Sequence, residues 1–154
     1  MNKAKVLIIV GSESDLEVMS KCEEVLARFG ISCKLEVSSA HRNPQKTVKL
    51  AETACEMGYK IIICGAGMAA HLPGVVASHT TLPVIGVPLK GKYLNGLDAL
   101  LSMAQMPAGV PVATVAIGEV GASNAGILAA EILGLSDKDV KKKIEKFKKK
   151  LKRK

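Results

Sequence analysis

The sequence predicts a doubly wound α/β fold, a three-layer sandwich with a five-stranded parallel sheet between two layers of helices. Three observations carry this expectation. Five short apolar, β-branched runs recur along the chain, and each is followed by a segment with helical spacing. The first run, KVLIIV, is continuous rather than alternating, as in a strand buried on both faces. Finally, 154 residues suit one domain with a sizeable core.

The elements follow in order. Residues 5–10, KVLIIV, form the first strand. Residues 16–29 form a helix with Leu16, Met19, Cys22, Leu26 and Phe29 on one face and Gly30 as its stop; Ser14 and Glu17 are spaced as a capping box. The second strand spans 32–39. A second helix over 44–57 has Asn43 as N-cap, Pro44 at its first position and Gly58 at its end. KIIIC (60–64) is the third strand, followed by a glycine-rich loop and a short helix around VVASH. PVIGVPL (83–89) and VPVATVAIG (110–118) are the fourth and fifth strands, with helices over 95–106 and 123–135. The expected sheet order is flavodoxin-like.

The chain reads as one domain over 1–154, with a core at 1–135 and a basic amphipathic helix at 136–154. In that helix Val140, Ile144, Phe147 and Leu151 form an apolar stripe, and Ser136 and Asp139 are spaced as a capping box. The stripe predicts a helix laid on its own or a neighbouring subunit, with its lysines in solvent.

Charge and composition exclude several classes. The net charge of +8 is concentrated in residues 138–154, which hold 11 Lys and Arg against 2 acids; residues 1–137 hold 11 against 12. The body is therefore nearly neutral and no nucleic-acid partner is expected. Aromatics make up 3% and Trp is absent, so a base-stacking platform is not expected either. The first apolar run, Val6–Val10, is too short for a signal sequence or a membrane span, which predicts a cytoplasmic protein with no membrane partner. Cys22, Cys33, Cys55 and Cys64 show no C-x-x-C pair, so metal: none is expected, and the four read as reduced, buried thiols.

In an open parallel sheet, ligands bind beyond the carboxyl ends of the strands. Here those ends carry Gly11-Ser12-Glu13-Ser14-Asp15, Ser38-Ser39-Ala40-His41-Arg42, Gly65-Ala66-Gly67-Met68-Ala69-Ala70-His71 and Pro88-Leu89-Lys90-Gly91-Lys92. Glycines, serines and two of the three histidines thus fall on one edge, the pattern of an enzyme. Ser12 and Ser14 open a helix where exposed N–H groups suit a phosphate, and Asp15 can accept from sugar hydroxyls or simply complement the dipole. Arg42 can pair with the same phosphate bidentately. His41 and His71 are suited to proton transfer near neutral pH; His79, at a helix end, reads as structural. Gly65-x-Gly67-x-x-Ala70 resembles a dinucleotide fingerprint, but it follows the third strand rather than the first. Small residues there instead let the backbone approach a flat ligand. No G-x-S-x-G elbow is present.

At these loops the chain closely resembles the purine-biosynthetic N5-carboxyaminoimidazole ribonucleotide mutase family. The shared stretches are GSESD (11–15), SSAHRNP (38–44), GAGMAAHLPGVVAS (65–78), PVIGVP (83–88), GLDALLSMAQMP (96–107), GVPVATVAIG (109–118) and NAGILAAEIL (124–133). The resemblance implies a three-layer α/β sandwich, a homo-octamer, no metal and no organic cofactor. It implies transfer of a carboxylate from the exocyclic nitrogen of an aminoimidazole ribonucleotide to ring C4, without ATP. It further implies that Ser12, Ser14 and Arg42 hold the phosphate, Asp15 the ribose hydroxyls, and Ser39 and Gly67 the base. His41 would be the acid/base, with His71 and Leu72 closing the carboxylate pocket.

A second branch of the family carboxylates the unsubstituted ribonucleotide with CO2, and carries Lys after the histidine and Gly-Arg-Ser-Asn in the third loop. Arg42 and Ala66-Gly67-Met68-Ala69 favour the mutase branch. Met68 and Ala108 depart from the family pattern, which has a small residue at the first and Arg or Pro at the second. The alternatives are the direct carboxylase, and a non-catalytic nucleotide-binding or basic-tail interaction protein.

Overall fold

The computed structural model describes residues 4–152; Arg153 and Lys154, the end of the expected tail helix, lie outside the described residues. Five strands, β1 (Val6–Val10), β2 (Cys33–Val37), β3 (Ile61–Gly67), β4 (Val84–Leu89) and β5 (Ala113–Thr114), alternate with helices. The helices are α1 (Leu16–Phe29), α2 (Pro44–Thr53), α3 (Leu72–Ser78), α4 (Leu97–Ala104), α5 (Glu119–Gly134) and α6 (Lys138–Leu151). All pairings are parallel, in the order β2-β1-β3-β4-β5, so the predicted flavodoxin-like order is the observed one.

Strand periodicity sorts the core into two faces. Val6, Ile8, Val10, Ile61, Ile63, Ile85 and Val87 point towards α1, α5 and α6, while Leu7, Ile9, Ile62, Cys64 and Val84 point towards α2, α3 and α4. Burying each such side chain contributes about 1.5–3 kcal/mol, which is why the central strands are uniformly apolar. On the first face α5 lies close against α1. A Cβ at Gly126 would stand 2.9 Å from Val25 Cγ1 and 3.1 Å from the Cys22 carbonyl oxygen.

Several local features differ from the sequence reading. Ser14 does not cap α1. Ser12 caps a short 3-10 turn, Glu13–Asp15, its hydroxyl accepting from the Ser14 N–H, and Asp15 precedes α1 without a side-chain cap bond. At α6 the capping carboxylate belongs to Asp137, which accepts from the N–H groups of Asp139 and Val140, rather than to Ser136. Helix α2 stops at Thr53, short of Met57, and turns fill the gap to Gly58. That places Cys55 outward, so of the four cysteines only Cys22 and Cys64 are buried; Cys33 is half-buried and Cys55 exposed. Strand β5, at the sheet edge, pairs over only two residues, far short of the predicted 110–118. Helix α5 begins at Glu119, four residues before the predicted start.

The tail is part of this chain's own core. Val140, Ile144 and Phe147 pack on the α1/α5 face, and Phe147 meets Phe29 edge-on with ring centroids 5.7 Å apart. Lys143 Nζ donates to the Phe29 carbonyl oxygen at 2.9 Å, satisfying a free C-terminal acceptor of α1. Lys5 Nζ bonds Asp137 Oδ2 at 2.9 Å, and Lys148 pairs with Glu131 at 2.7 Å. Among the described residues no helix is long and apolar enough to cross a membrane.

Candidate active site

The carboxyl ends of β1, β2, β3 and β4 enclose a cleft of about 490 Å³. Its lining includes each of the nine residues singled out from the sequence: Ser12, Ser14, Asp15, Ser39, His41, Arg42, Gly67, His71 and Leu72. Strand order brings them together, because β1 and β3 are central neighbours flanked by β2 and β4.

The β1 and β2 loops form one end. Ser12 Oγ and Ser14 Oγ share a hydrogen bond at 2.9 Å at the turn opening α1. The Arg42 guanidinium crosses from the β2 loop to donate to the Gly11 carbonyl oxygen at 3.0 Å, so its charge stands over β1 beside the serines. Its backbone N–H donates to Ser39 Oγ at 3.2 Å. Beneath this loop the buried Ser38 and Thr47 hydroxyls bond at 2.7 Å, and Asn43 caps α2 through the Lys46 N–H as predicted. The loop that presents His41 and Arg42 is therefore tied both to β2 and to α2.

Asp15 lies within the same end. Partial burial raises its carboxyl above the ordinary range, opposed by a backbone hydrogen bond from Ser12 and by the Arg42 charge. A ligand that brings hydroxyl donors to this carboxylate would replace part of its lost hydration.

In the middle of the cleft His41 Nε2 lies 2.8 Å from His71 Nδ1, with the rings perpendicular and their centroids 4.9 Å apart. One nitrogen of this pair carries a proton and the other a lone pair, so a single proton is held between two loops. The floor is backbone and small side chains. The third-strand glycines lie at the end of β3 itself, and a Cβ at Gly67 would come within 3.4 Å of the Leu89 carbonyl oxygen. Met68 follows in the left-handed region, at φ 53°, a conformation uncommon for a side-chain-bearing residue and frequent at functional loops. Leu72 is buried at the start of α3.

Lys90 and Gly91, just past β4, also line the cleft. The rule that ligands sit beyond strand ends marked this loop, but no spacing pattern singled out these two residues. His79 lies away from the cleft, its Nδ1 3.4 Å from Glu52 Oε1. A second, larger groove of about 650 Å³ runs between α1 and α6, with Val25, Phe29, Ile127 and Phe147 among its walls. It holds no histidine or cysteine, whereas the smaller cleft holds both His41 and His71.

Residues 5–154 match the AIR carboxylase family. The chain belongs to that family. Among the curated members, the N5-carboxyaminoimidazole ribonucleotide mutase of Thermotoga maritima is 54% identical over 149 residues, covering 97% of this chain and 86% of that protein. The mutase of Pyrococcus horikoshii is 52% identical over 152 residues (99% and 85%), and that of Saccharolobus solfataricus 56% over 143 residues (93% and 89%). A crystal structure of Treponema denticola PurE superposes on this AIR carboxylase family member with a TM-score of 0.86 at 27% identity, covering 96% of this chain and 91% of that one.

Proposed function

We infer that this protein is an N5-carboxyaminoimidazole ribonucleotide mutase, an isomerase of purine biosynthesis that acts without ATP. The observation that carries the reading is the hydrogen-bonded His41–His71 pair, standing in one cleft with the Ser12, Ser14 and Arg42 cluster. The identity of 52–56% to curated mutases supports it.

The roles are those the family resemblance implies, and their shared place in the cleft supports them. Ser12, Ser14 and Arg42 take the phosphate through hydroxyl donors and a guanidinium fork. Asp15 accepts from the ribose hydroxyls. Ser39 and Gly67 border the aminoimidazole, and the bare Gly67 lets the end of β3 lie close against Leu89 of β4. His71 and Leu72 close the carboxylate pocket, one polar wall and one apolar.

The chemistry needs one proton moved twice. Protonation of the carbamate nitrogen weakens the nitrogen–carboxyl bond; that bond breaks, its electron pair stays on nitrogen, and CO2 is released into the cleft. The enamine-like C4 then attacks CO2, and the C4 proton departs to an imidazole. His41 delivers the first proton and recovers the second, and His71 holds its ring in line, so the pair ends the turnover as it began. Keeping CO2 beside C4 depends on a closed, water-poor pocket.

The chain also assembles with copies of itself in this reading, as an octamer by family resemblance, and works in the cytoplasm, where its thiols stay reduced. Exposed Tyr93, Leu94, Leu97 and Leu101 follow the β4 loop and form an apolar stretch suited to a copy. Supplying the purified protein with the N5-carboxylated ribonucleotide alone should yield the C4-carboxylated product. Turnover that instead requires the unsubstituted ribonucleotide and bicarbonate would assign the direct carboxylase, and no turnover with either would overturn an enzymatic function.

A further inference from the structure

We propose that Lys90 anchors the migrating carboxylate, acting as the second cationic contact of the substrate at the end of the cleft opposite the phosphate. The inference rests on the mutase reading and deepens it by naming what distinguishes carboxylated from uncarboxylated ligands.

Four basic side chains line the cleft: Arg42, His41, His71 and Lys90. The first three already have partners there, Arg42 on the Gly11 carbonyl oxygen and the imidazoles on one another. Lys90 makes no hydrogen bond or ion pair among the described residues, although it borders the cleft. Asp15, the carboxylate among the lining residues, belongs to the β1 end.

Sheet order separates the two lasting cations. The Arg42 guanidinium stands over β1, whereas Lys90 immediately follows Leu89, whose register partner on β3 is Gly67. Two inter-strand steps of about 4.8 Å place these ends roughly 10 Å apart. A ribonucleotide lying across the strand ends spans a comparable distance from phosphate to base. With its phosphate on Ser12, Ser14 and Arg42, its ring reaches Gly67, and the ring substituents come within the sweep of the lysine stem.

The start of the Lys90 loop is also held in place. A Cβ at Gly91 would lie 3.1 Å from Met68 Cγ, so the bare Gly91 backbone seats against the Met68 side chain. The β3 and β4 ends therefore form one wall, with Lys90 at its edge. Both substrate and product carry a carboxylate that the decarboxylated intermediate lacks. A cation at this wall favours the two carboxylated ligands and leaves the neutral-ring ribonucleotide unaffected.

The test compares wild type, Lys90→Met and Lys90→Arg by calorimetric binding of the C4-carboxylated ribonucleotide and of unsubstituted aminoimidazole ribonucleotide, with KM and kcat in parallel. Lys90→Met should weaken the carboxylated ligand about tenfold and leave the unsubstituted one within about twofold, as loss of one charge-assisted contact requires. KM should rise while kcat changes little, and Lys90→Arg should restore most of the affinity. Equal weakening of both ligands, or no weakening of either, would overturn the assignment while wild-type turnover leaves the mutase reading intact. Wild type that neither binds nor turns over these ligands would overturn both.

Discussion

His41 shows how little a single residue means without its partner. Alone in SSAHRNP it is a histidine in a loop; 2.8 Å from His71, it shares a proton across two strand ends. His41→Asn keeps a polar side chain of similar reach but cannot cycle a proton. It should bind the ribonucleotide within about threefold of wild type and lose at least about 100-fold in kcat, the usual scale of general acid–base catalysis. Single-turnover assays and calorimetry separate the two, and retained kcat would remove His41 from the proposed role.

Asp15 makes the opposite case, a residue that costs stability. Its carboxyl titrates above the ordinary range because burial opposes its charge. The folded state thus holds this proton more tightly than the unfolded state, and its contribution to stability declines as pH rises from the unfolded pKa through the folded one. Asp15→Asn should therefore raise Tm near neutral pH and lose that advantage in acid, while substrate affinity falls. Thermal melts across pH check the first part; a lower Tm for the variant at neutral pH would contradict it.

At the level of elements, capping was misassigned at α1 and α6 for the same reason. Ser14 with Glu17 and Ser136 with Asp139 both have box spacing, yet Ser12 caps only the 3-10 turn that leads into α1, and Asp137 caps α6. Neighbouring polar residues compete for one position, and the backbone angle at which each chain segment enters its helix decides among them. Asp137 is held below the ordinary carboxylate range, first by the Lys5 hydrogen bond and then by the Val140 N–H. Its stabilising contribution is present above the unfolded aspartate pKa and fades as pH falls through the lowered folded one. Asp137→Asn should melt lower than wild type at neutral pH and converge with it in acid; a gap that persists in acid would exclude the titration as its cause.

For the whole molecule, the basic tail carries all of the net positive charge, yet its apolar stripe packs into the core. Phe147→Ala removes the edge-on contact with Phe29 and part of the α1/α5 cover. A loss of about 2–3 kcal/mol follows from a large side chain truncated at a partly buried site, read in denaturant unfolding. A variant of unchanged stability would revive the tail as a solvent-facing interaction arm.

Much of the molecule was legible beforehand, for definite physical reasons. Continuous apolar runs mark strands covered on both faces, and helical spacing between them requires parallel crossovers, so layer architecture and strand order followed from pattern. Strand ends then located the cleft, since SESD, SAHR and the glycine loop each end a strand. Pattern was silent on what depends on distance between segments remote in the chain. The His41–His71 contact spans 30 positions, the Arg42 guanidinium reaches 31 positions back to Gly11, and Lys90 enters the cleft through a loop with no signature. Cys55 turned outward because α2 ended early, which no periodicity signalled. Burial periodicity is a local property that each segment carries in its own residues; which charges and imidazoles meet is decided by strand order and register, which exist only once the sheet has formed.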